Sequence, residues 1–187
     1  MKKTIVIVCL ILISVGLVSA QENAAIKTIM YHYAARNFLS GEISQSDLDR
    51  IVQAAVNTPS ARNQQLWHFT VVQNYDLARR IISNVNSGNV IFVISTTGEE
   101  GKIRSDLILD CGLAAQTIYL AEQALGLGSR IYTGPVSDVN KSLKSALGLP
   151  NGYSVVAIVR IGKVPPIDAV SAASVRNKSD KMVTYKK

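Results

Sequence analysis

Cysteine and histidine are scarce in this sequence, which has two residues of each among its 187. If the N-terminal segment discussed below is removed, only Cys111 remains, and an internal disulfide is excluded. Neither residue type has the number or spacing of a metal site. Lys and Arg exceed Asp and Glu by 20 to 13, but no dense basic block with interleaved aromatic residues is present. Nucleic-acid binding is therefore not indicated, and stability must come mainly from burial of apolar side chains.

A long apolar run occurs at the start of the chain. Two lysines precede the run Ile5–Val18, and small residues follow it at Ser19 and Ala20, which is the pattern of an export signal. The run is about fourteen residues long, whereas a membrane-spanning helix needs roughly twenty. We predict a signal peptide at 1–20 and one domain at 21–187. The mature protein would be periplasmic or secreted, with no stable membrane association after cleavage; an uncleaved anchor is the alternative.

Hydrophobic periodicity divides residues 21–187 into helices and strands, which predicts a mixed α and β domain. Residues 43–56 have apolar side chains on one helical face, with Ser44 or Ser46 as the N-cap. A continuous apolar strand at 89–96 is of the kind that is covered on both faces. The predicted helices are 23–36, 43–56, 76–84, 104–125 and 136–147, and the predicted strands are 68–73, 89–96, 129–133 and 153–162.

The most informative segment is 59–69, Pro-Ser-Ala-Arg-Asn-Gln-Gln-Leu-Trp-His-Phe, in which a polar, turn-rich stretch leads directly into a β-branched run. Small polar side chains, amides and an arginine at the edge of a sheet suit the polar rim and phosphate of a planar cofactor. The alternative is a loop whose Asn and Gln side chains cap backbone groups before a strand. The segment resembles Pro-Ser-x-x-Asn-x-Gln-Pro-Trp-x-Phe of the nitroreductase family, which are FMN-dependent NAD(P)H oxidoreductases.

Three further parts of the chain extend this resemblance. Arg36-Asn37-Phe38 precedes Pro59 at the distance that separates the family's Arg-x-Phe and Pro-Ser motifs. Residues 110–116, DCGLAAQ, and 124–129, ALGLGS, resemble the family's central helix and the glycine-rich turn that leaves it. Residues 147–153, LGLPNGY, resemble the approach to its last core strand. The resemblance therefore runs in order along essentially all of residues 21–187.

The resemblance implies an α+β fold, a nitroreductase-like three-layer sandwich with a central, mostly antiparallel sheet and helices. It implies an intertwined homodimer with FMN in the interface, held by both chains, and a C-terminal tail, about 165–187, exchanged across the dimer. Basic side chains would face the phosphate, and backbone groups near a glycine would approach the isoalloxazine. Carried over position by position, the implied FMN contacts are Arg36, Ser60, Ala61, Asn63, Gln65, Thr133, Gly134, Arg176 and Lys178. His32 is added as a partial substitute for a family phosphate contact that this chain lacks. For each basic residue the alternative is an ordinary solvated side chain.

The chain departs from the family pattern at two places. The family commonly reads Arg-Arg-Ser-x-Arg-x-Phe where this chain has His-Tyr-Ala-Ala-Arg-Asn-Phe at 32–38, so His32 and Ala34 replace two phosphate contacts. Between the strand at 89–96 and the helix at 104–125 there is only a short loop, where larger members insert helices that cover the flavin. The sequence therefore predicts weakened FMN binding and a shallow, tolerant pocket, in which Glu99 and Glu100 are solvated loop charges.

The implied activity is ping-pong transfer of two electrons from a reduced donor, NAD(P)H by resemblance, to a nitroaromatic, quinone or similar small-molecule acceptor. The flavin performs the redox chemistry, so no catalytic acid, base or nucleophile is nominated. Cys111, His68 and Tyr132 are interpreted as packing residues. The alternative function is a degenerate nitroreductase-fold dimer that binds a flavin or another ligand without turnover.

Overall fold

The computed structural model describes residues 23–166 and 176–186. The predicted signal peptide and residues 167–175 of the predicted tail lie outside the described residues. The chain divides into two compact units between His32 and Tyr33. The first unit contains helix α1 (Asn23–Tyr31), in which Thr28 Oγ1 donates to Ala24 O at 3.0 Å. Across the described ranges, no helix has the length and apolar character needed to cross a bilayer.

The second unit is built on one four-stranded sheet. Its strands follow the order β1-β2-β4-β3, and every neighbouring pair is antiparallel. The starts of β1 and β4 and the ends of β2 and β3 therefore lie at one end of the sheet. The strands are β1 (Trp67–Val72), β2 (Val90–Thr97), β3 (Gly128–Tyr132) and β4 (Tyr153–Gly162), and the helices are α2 (Gln45–Val56), α3 (Tyr75–Ile81), α4 (Ser105–Ala124) and α5 (Val136–Ser142).

The local signals in the sequence account for helix α2. Ser44 has extended backbone angles and its hydroxyl accepts a hydrogen bond from Asp47 N at 3.1 Å, so Ser44 is the N-cap. Leu48, Ile51 and Ala55 are buried on one face of this helix. The prediction of a capped amphipathic helix is confirmed, with Ser44 chosen over Ser46.

The sheet is covered on both faces, as the continuous apolar sequence of β2 predicts. Val90 to Thr96 are all buried. One core lies between the sheet and the helices α2 and α4, where Ile51, Phe92 and Ile118 are fully buried. The other core lies between the sheet and α3 and α5 and includes Val139. The architecture is therefore an α+β sandwich of three layers, as expected.

Three predicted helices are too long at their C-terminal ends. The first ends at Tyr31 rather than at residue 36, and past it Ala34 forms a parallel bridge with Ser129. Ala35 N donates to Ser129 O at 2.8 Å, so this backbone pairs with β3 instead of continuing a helix. Helix α3 ends at Ile81, not at residue 84, and α5 ends at Ser142, not at 147, where a series of turns follows.

Candidate cofactor site

The polar segment before β1 forms a tight turn in a costly backbone conformation. Residues Ala61–Asn63 make a single 3-10 turn that follows Ser60. Arg62, Asn63 and Gln65 have φ angles of 54°, 55° and 50°, which lie in the left-handed region. Each such residue that is not glycine costs roughly 1 to 2 kcal/mol. A turn with three of them persists only where its surroundings enforce it.

Side chains within the turn supply part of that enforcement. Gln65 N donates to Ser60 Oγ at 3.0 Å, and Gln65 Nε2 donates to Asn63 Oδ1 at 2.9 Å. Asn63 N donates to Ser60 O at 3.0 Å. Three of the predicted cofactor contacts thus hold one another in place. Their side chains are exposed or half-buried, as a surface that meets a ligand requires.

Two buried polar residues attach this turn to the body of the domain. Ala61 N donates to both carboxyl oxygens of Asp110 on α4, at 3.0 and 3.2 Å. Asp110 is 4% exposed. At the other end of the turn, Thr96 Oγ1 on β2 donates to Leu66 O at 2.8 Å. Sequence reasoning missed Asp110 as a functional residue, although an acid beside the apolar stripe of a helix is a detectable signal.

The loop between β2 and α4 is short and its charges are paired at the surface. Glu99 and Lys102 form an exposed ion pair at 2.7 Å. Arg104 pairs with Asp106, and this hydrogen bond lowers the pKa of the Asp106 carboxyl. No helix covers the adjacent end of the sheet within the described residues between β2 and α4. This arrangement agrees with the predicted short loop without covering helices and with the prediction that Glu99 is a solvated loop charge.

A second group of predicted contacts lies beside β3. Arg36 follows the backbone that pairs with Ser129, and its side chain is exposed. Thr133 and Gly134 come directly after β3, and Thr133 O accepts a hydrogen bond from Val136 N at 3.1 Å. A Cβ added at Gly134 would meet no atom within 4 Å. The surroundings of Gly134 therefore leave room for a planar ligand to approach the backbone.

A buried arginine fixes the backbone next to Arg36. The guanidinium of Arg160 on β4 is centred 4.1 Å from the ring of Phe38, and its Nε donates to Asn89 Oδ1 at 2.9 Å. Asn89 Nδ2 in turn donates to Leu39 O at 2.9 Å, and Asn86 Nδ2 donates to Phe38 O at 2.6 Å. Burial lowers the pKa of Arg160, while Tyr132 opposes that shift. This network holds residues 38–39 against β4.

The two groups of predicted contacts are far apart within one chain. The turn at 60–65 is attached to α4 at Asp110, whereas Tyr33 N, just before the Arg36 segment, donates to Gln123 Oε1 on the same helix at 3.2 Å. Asp110 and Gln123 are thirteen residues apart, which is roughly 20 Å along an α-helix. In addition, β1 and β3 are the two edge strands of the sheet. One chain therefore does not bring all the predicted contacts together.

The remaining three predicted contacts belong to neither group. His32 is in the first unit, where its Nδ1 lies 2.5 Å from Ile29 O. Arg176 and Lys178 are exposed, and the charge of Arg176 partly offsets the raised pKa of Tyr119 on α4. The assignment of these residues to the phosphate stays a prediction.

Near the end of α4 is a buried carboxyl group that sequence reasoning did not single out. Glu122 is fully buried, and neither of its oxygens has a hydrogen-bond partner in the described part of the chain. Burial raises its pKa to about 8, an effect that the nearby Ser129 hydroxyl opposes only in part. Burial and the charge of Glu122 together raise the pKa values of Tyr33 and Tyr119. Tyr33 stands where the family pattern has an arginine.

Comparison with known proteins decides the family. The sequence model of the Nitroreductase family matches residues 29–91 and 83–163. The chain belongs to the nitroreductase family. It is 30% identical over 146 residues to a candidate NADH dehydrogenase/NAD(P)H nitroreductase of Archaeoglobus fulgidus. This alignment covers 73% of this chain and 83% of that protein.

Solved nitroreductase structures share the fold. A nitroreductase with bound FMN from Desulfitobacterium hafniense superposes with a TM-score of 0.73 at 22% identity, covering 88% of this chain and 99% of the other. An FMN-dependent nitroreductase from Clostridium difficile gives a TM-score of 0.70 at 25% identity, covering 87% and 99%. The resemblance inferred from the motifs and the three-layer fold class are confirmed.

The other chemical groups of this nitroreductase domain are structural. Cys111 is fully buried, and burial raises the pKa of its thiol to about 12, so it is not a reactive thiolate. His68 stacks edge-on against Tyr153, with ring centroids 6.3 Å apart. Within 23–166 and 176–186, no group of three or more His, Cys, Asp or Glu side chains is placed to hold a metal ion.

Proposed function

We propose that this protein is an exported FMN-dependent oxidoreductase of nitroreductase type. It transfers two electrons by a ping-pong mechanism from a reduced donor, with NAD(P)H as the first candidate, to a nitroaromatic, quinone or similar small acceptor. The observation that carries the proposal is the turn at 60–65 before β1, in which the family's Asn and Gln, Asn63 and Gln65, adopt a left-handed backbone and the family's Ser, Ser60, accepts a hydrogen bond from Gln65 N. Family membership supplies the link between this turn and the flavin.

In this proposal, two chains build each site. The turn of one chain faces the Arg36 segment and Gly134 of its partner, which explains why these groups are roughly 20 Å apart along α4 of a single chain. Helix α4 also has an exposed apolar face suited to such an interface, because Ile108, Leu109 and Leu113 are 47, 62 and 39% exposed. Large apolar residues grouped on one helical face favour association with a second surface.

The residues of this chain bind and orient, whereas FMN, when bound, accepts a hydride and passes two electrons to the acceptor. The turn at 60–65 would hold the isoalloxazine and ribityl groups, and Thr133 and Gly134 would contact the ring edge through backbone groups. His32, Arg36, Arg176 and Lys178 would hold the phosphate by charge-assisted hydrogen bonds. Because this end of the sheet is uncovered, the side on which an electron acceptor would bind is open. We therefore expect the protein to accept a range of electron acceptors rather than to select one.

FMN binding and reduction test the proposed function. We expect the purified protein, supplied with FMN, to turn yellow and to quench flavin fluorescence saturably. Under anaerobic conditions, dithionite should bleach the bound flavin, and NADH or NADPH should do so in stopped-flow traces. A protein that binds no FMN even at saturating FMN concentrations would contradict the proposal that it is a flavoenzyme. If dithionite bleaches the bound flavin but neither NADH nor NADPH does, NAD(P)H is not the electron donor. This test is important because nicotinamide nucleotides are scarce outside the cytoplasm.

A charged substitution on α4 tests the two-chain site. We expect Leu109→Glu to yield monomers in sedimentation analysis and to lose FMN binding in parallel, because the helix face can no longer associate. Tyr75→Glu is the matched control, since Tyr75 is 41% exposed on α3 at the opposite face of the sheet. A monomeric Leu109→Glu protein that binds FMN as wild type does would contradict the shared site.

The degenerate dimer is the second candidate, and the altered phosphate segment favours it. Ala34, in place of the family's serine, offers only its backbone, and that backbone bridges to Ser129. Losing a hydrogen bond to a charged group costs about 1.5 to 3 kcal/mol, or roughly ten- to a hundred-fold in affinity. This second function would be identified by a dimer that binds FMN and whose bound flavin, once reduced, is not reoxidised by the quinones and nitroaromatics tested.

A further inference from the structure

The turn at 60–65 needs an external support, and Asp110 is placed to provide it. The hydrogen bonds of Ser60, Asn63 and Gln65 all lie within the turn. They therefore do not fix the position of the turn relative to the rest of the domain. Thr96 holds the end of the turn through Leu66 O, and the attachment at its start is the bond from Ala61 N to the two oxygens of Asp110. Arg62 follows Ala61 directly, so moving Ala61 would move the first strained residue.

Asp110 occupies a position that is unfavourable for an isolated carboxylate. It is 4% exposed and lies on α4 between the buried Leu107 and Cys111. Across the described ranges no basic side chain forms an ion pair with it, since the nearby Arg104 pairs with Asp106. Burying a carboxylate is costly unless hydrogen bonds compensate. The donor that the structure gives to Asp110 from outside its own helix is the amide of the turn.

We propose that Asp110 is a positioning residue of the cofactor site, whose buried carboxylate fixes the conformation in which residues 60–65 meet the flavin. This role rests on the proposed function, because the turn is a cofactor contact only if the protein binds FMN. Asp110 acts through Ala61. Its contribution is to select the binding conformation before the ligand arrives, which reduces the ordering that binding would otherwise require.

Hydrogen exchange measures the support of the turn without any flavin. Three full-length variants are compared with wild type: Asp110→Leu removes the acceptor, Asp110→Asn keeps one acceptor oxygen, and Asp106→Asn changes a half-buried acid one helical turn away that pairs with Arg104. We expect exchange across residues 60–66 to rise at least about tenfold in Asp110→Leu. Asp110→Asn should lie between it and wild type, and Asp106→Asn should match wild type. Exchange in α2 should be unchanged in all three.

Titration with FMN then measures the consequence for binding. Loss of a charge-assisted hydrogen bond corresponds to about ten- to a hundred-fold weaker FMN affinity in Asp110→Leu, with partial recovery in Asp110→Asn. Folded Asp110→Leu with wild-type exchange at 60–66 and wild-type FMN affinity would overturn the role. If that variant does not fold, Asp110→Asn decides, and wild-type values in both measurements overturn it. Failure of wild type to bind FMN rejects the proposed function, whereas the exchange data still judge the support of the turn.

Discussion

The protein is expected to lose stability as the pH rises from about 5 to 8, and replacing Glu122 with glutamine is expected to remove most of that loss. In the folded chain burial raises the pKa of this carboxyl to about 8, against an ordinary value of 4.5. Below pH 4.5 the carboxyl is protonated in both the folded and unfolded states. Between the two values the unfolded state has lost a proton that the folded state retains, so the free energy of unfolding falls as pH rises.

The size of this effect follows from the shift in pKa. At 1.36 kcal/mol per unit, the change from 4.5 to about 8 corresponds to about 3 to 5 kcal/mol. Glutamine has no proton to exchange, so the Glu122→Gln curve should be flatter over this range whatever its absolute stability. Among the described residues, the groups coupled to Glu122 include Tyr33, Tyr119 and Ser129, and the charge of Arg176 acts on Tyr119. The tyrosines titrate above this range and leave it unaffected.

Urea unfolding at pH 5, 6, 7 and 8 gives the measurement. Glu99→Gln serves as the control, because Glu99 is exposed and its removal should leave the wild-type slope intact. An equal decline in Glu122→Gln and wild type would show that other groups cause it. Introducing arginine at Tyr33 is the complementary change, since a cation there would favour the ionised carboxyl and reduce the slope by the opposite route.

Replacing Arg160 with methionine is expected to destabilise the domain by about 3 to 5 kcal/mol, because three amide oxygens lose their charged hydrogen-bond donor. Methionine fills much of the volume but leaves the amide oxygens of Asn84, Asn86 and Asn89 without the guanidinium. The contact with the ring of Phe38 is lost as well. At 2 to 4 °C per kcal/mol for a domain of this size, the melting temperature should fall by roughly 6 to 20 °C.

Arg130→Met is the matched control, because Arg130 is the register partner of Arg160 on β3 and its side chain is exposed. Its guanidinium lies 5.2 Å from the ring centroid of Tyr132, an arrangement worth about 0.5 to 1 kcal/mol at the surface. Calorimetry on both variants should therefore show a severalfold larger decrease for Arg160→Met. Similar small decreases would mean that the asparagines re-pair with solvent and that the network contributes little.

The parts of the fold that were predictable from sequence are those whose signal is local. The apolar run at 89–96 identified β2, which spans Val90–Thr97, and the stripe at 104–125 identified α4, which spans Ser105–Ala124. Ser44 at the start of α2 is equally local. Helix ends were less predictable, because residues 34–35 leave helical geometry to pair with Ser129, ninety-five positions away.

The candidate site divides in the same way. The motif at 59–69 was recognisable because its residue types are consecutive, although its left-handed backbone at Arg62, Asn63 and Gln65 was not, since none of them is glycine. The acid at position 110 was visible in the sequence, but its contact with the turn was not predictable, because its partner Ala61 is 49 positions distant. The orphaned state of Glu122 likewise depends on which side chains the fold brings around it.

The distance between the turn at 60–65 and the Arg36 segment along α4 has a consequence for how the protein matures. Under the proposed two-chain site, a polypeptide that is still alone offers FMN only part of its contacts. Cofactor loading under the proposed two-chain site then depends on encounters between polypeptides, and the loaded fraction should fall steeply on dilution. Expression level, as much as the supply of riboflavin, would then set how much FMN-loaded protein forms.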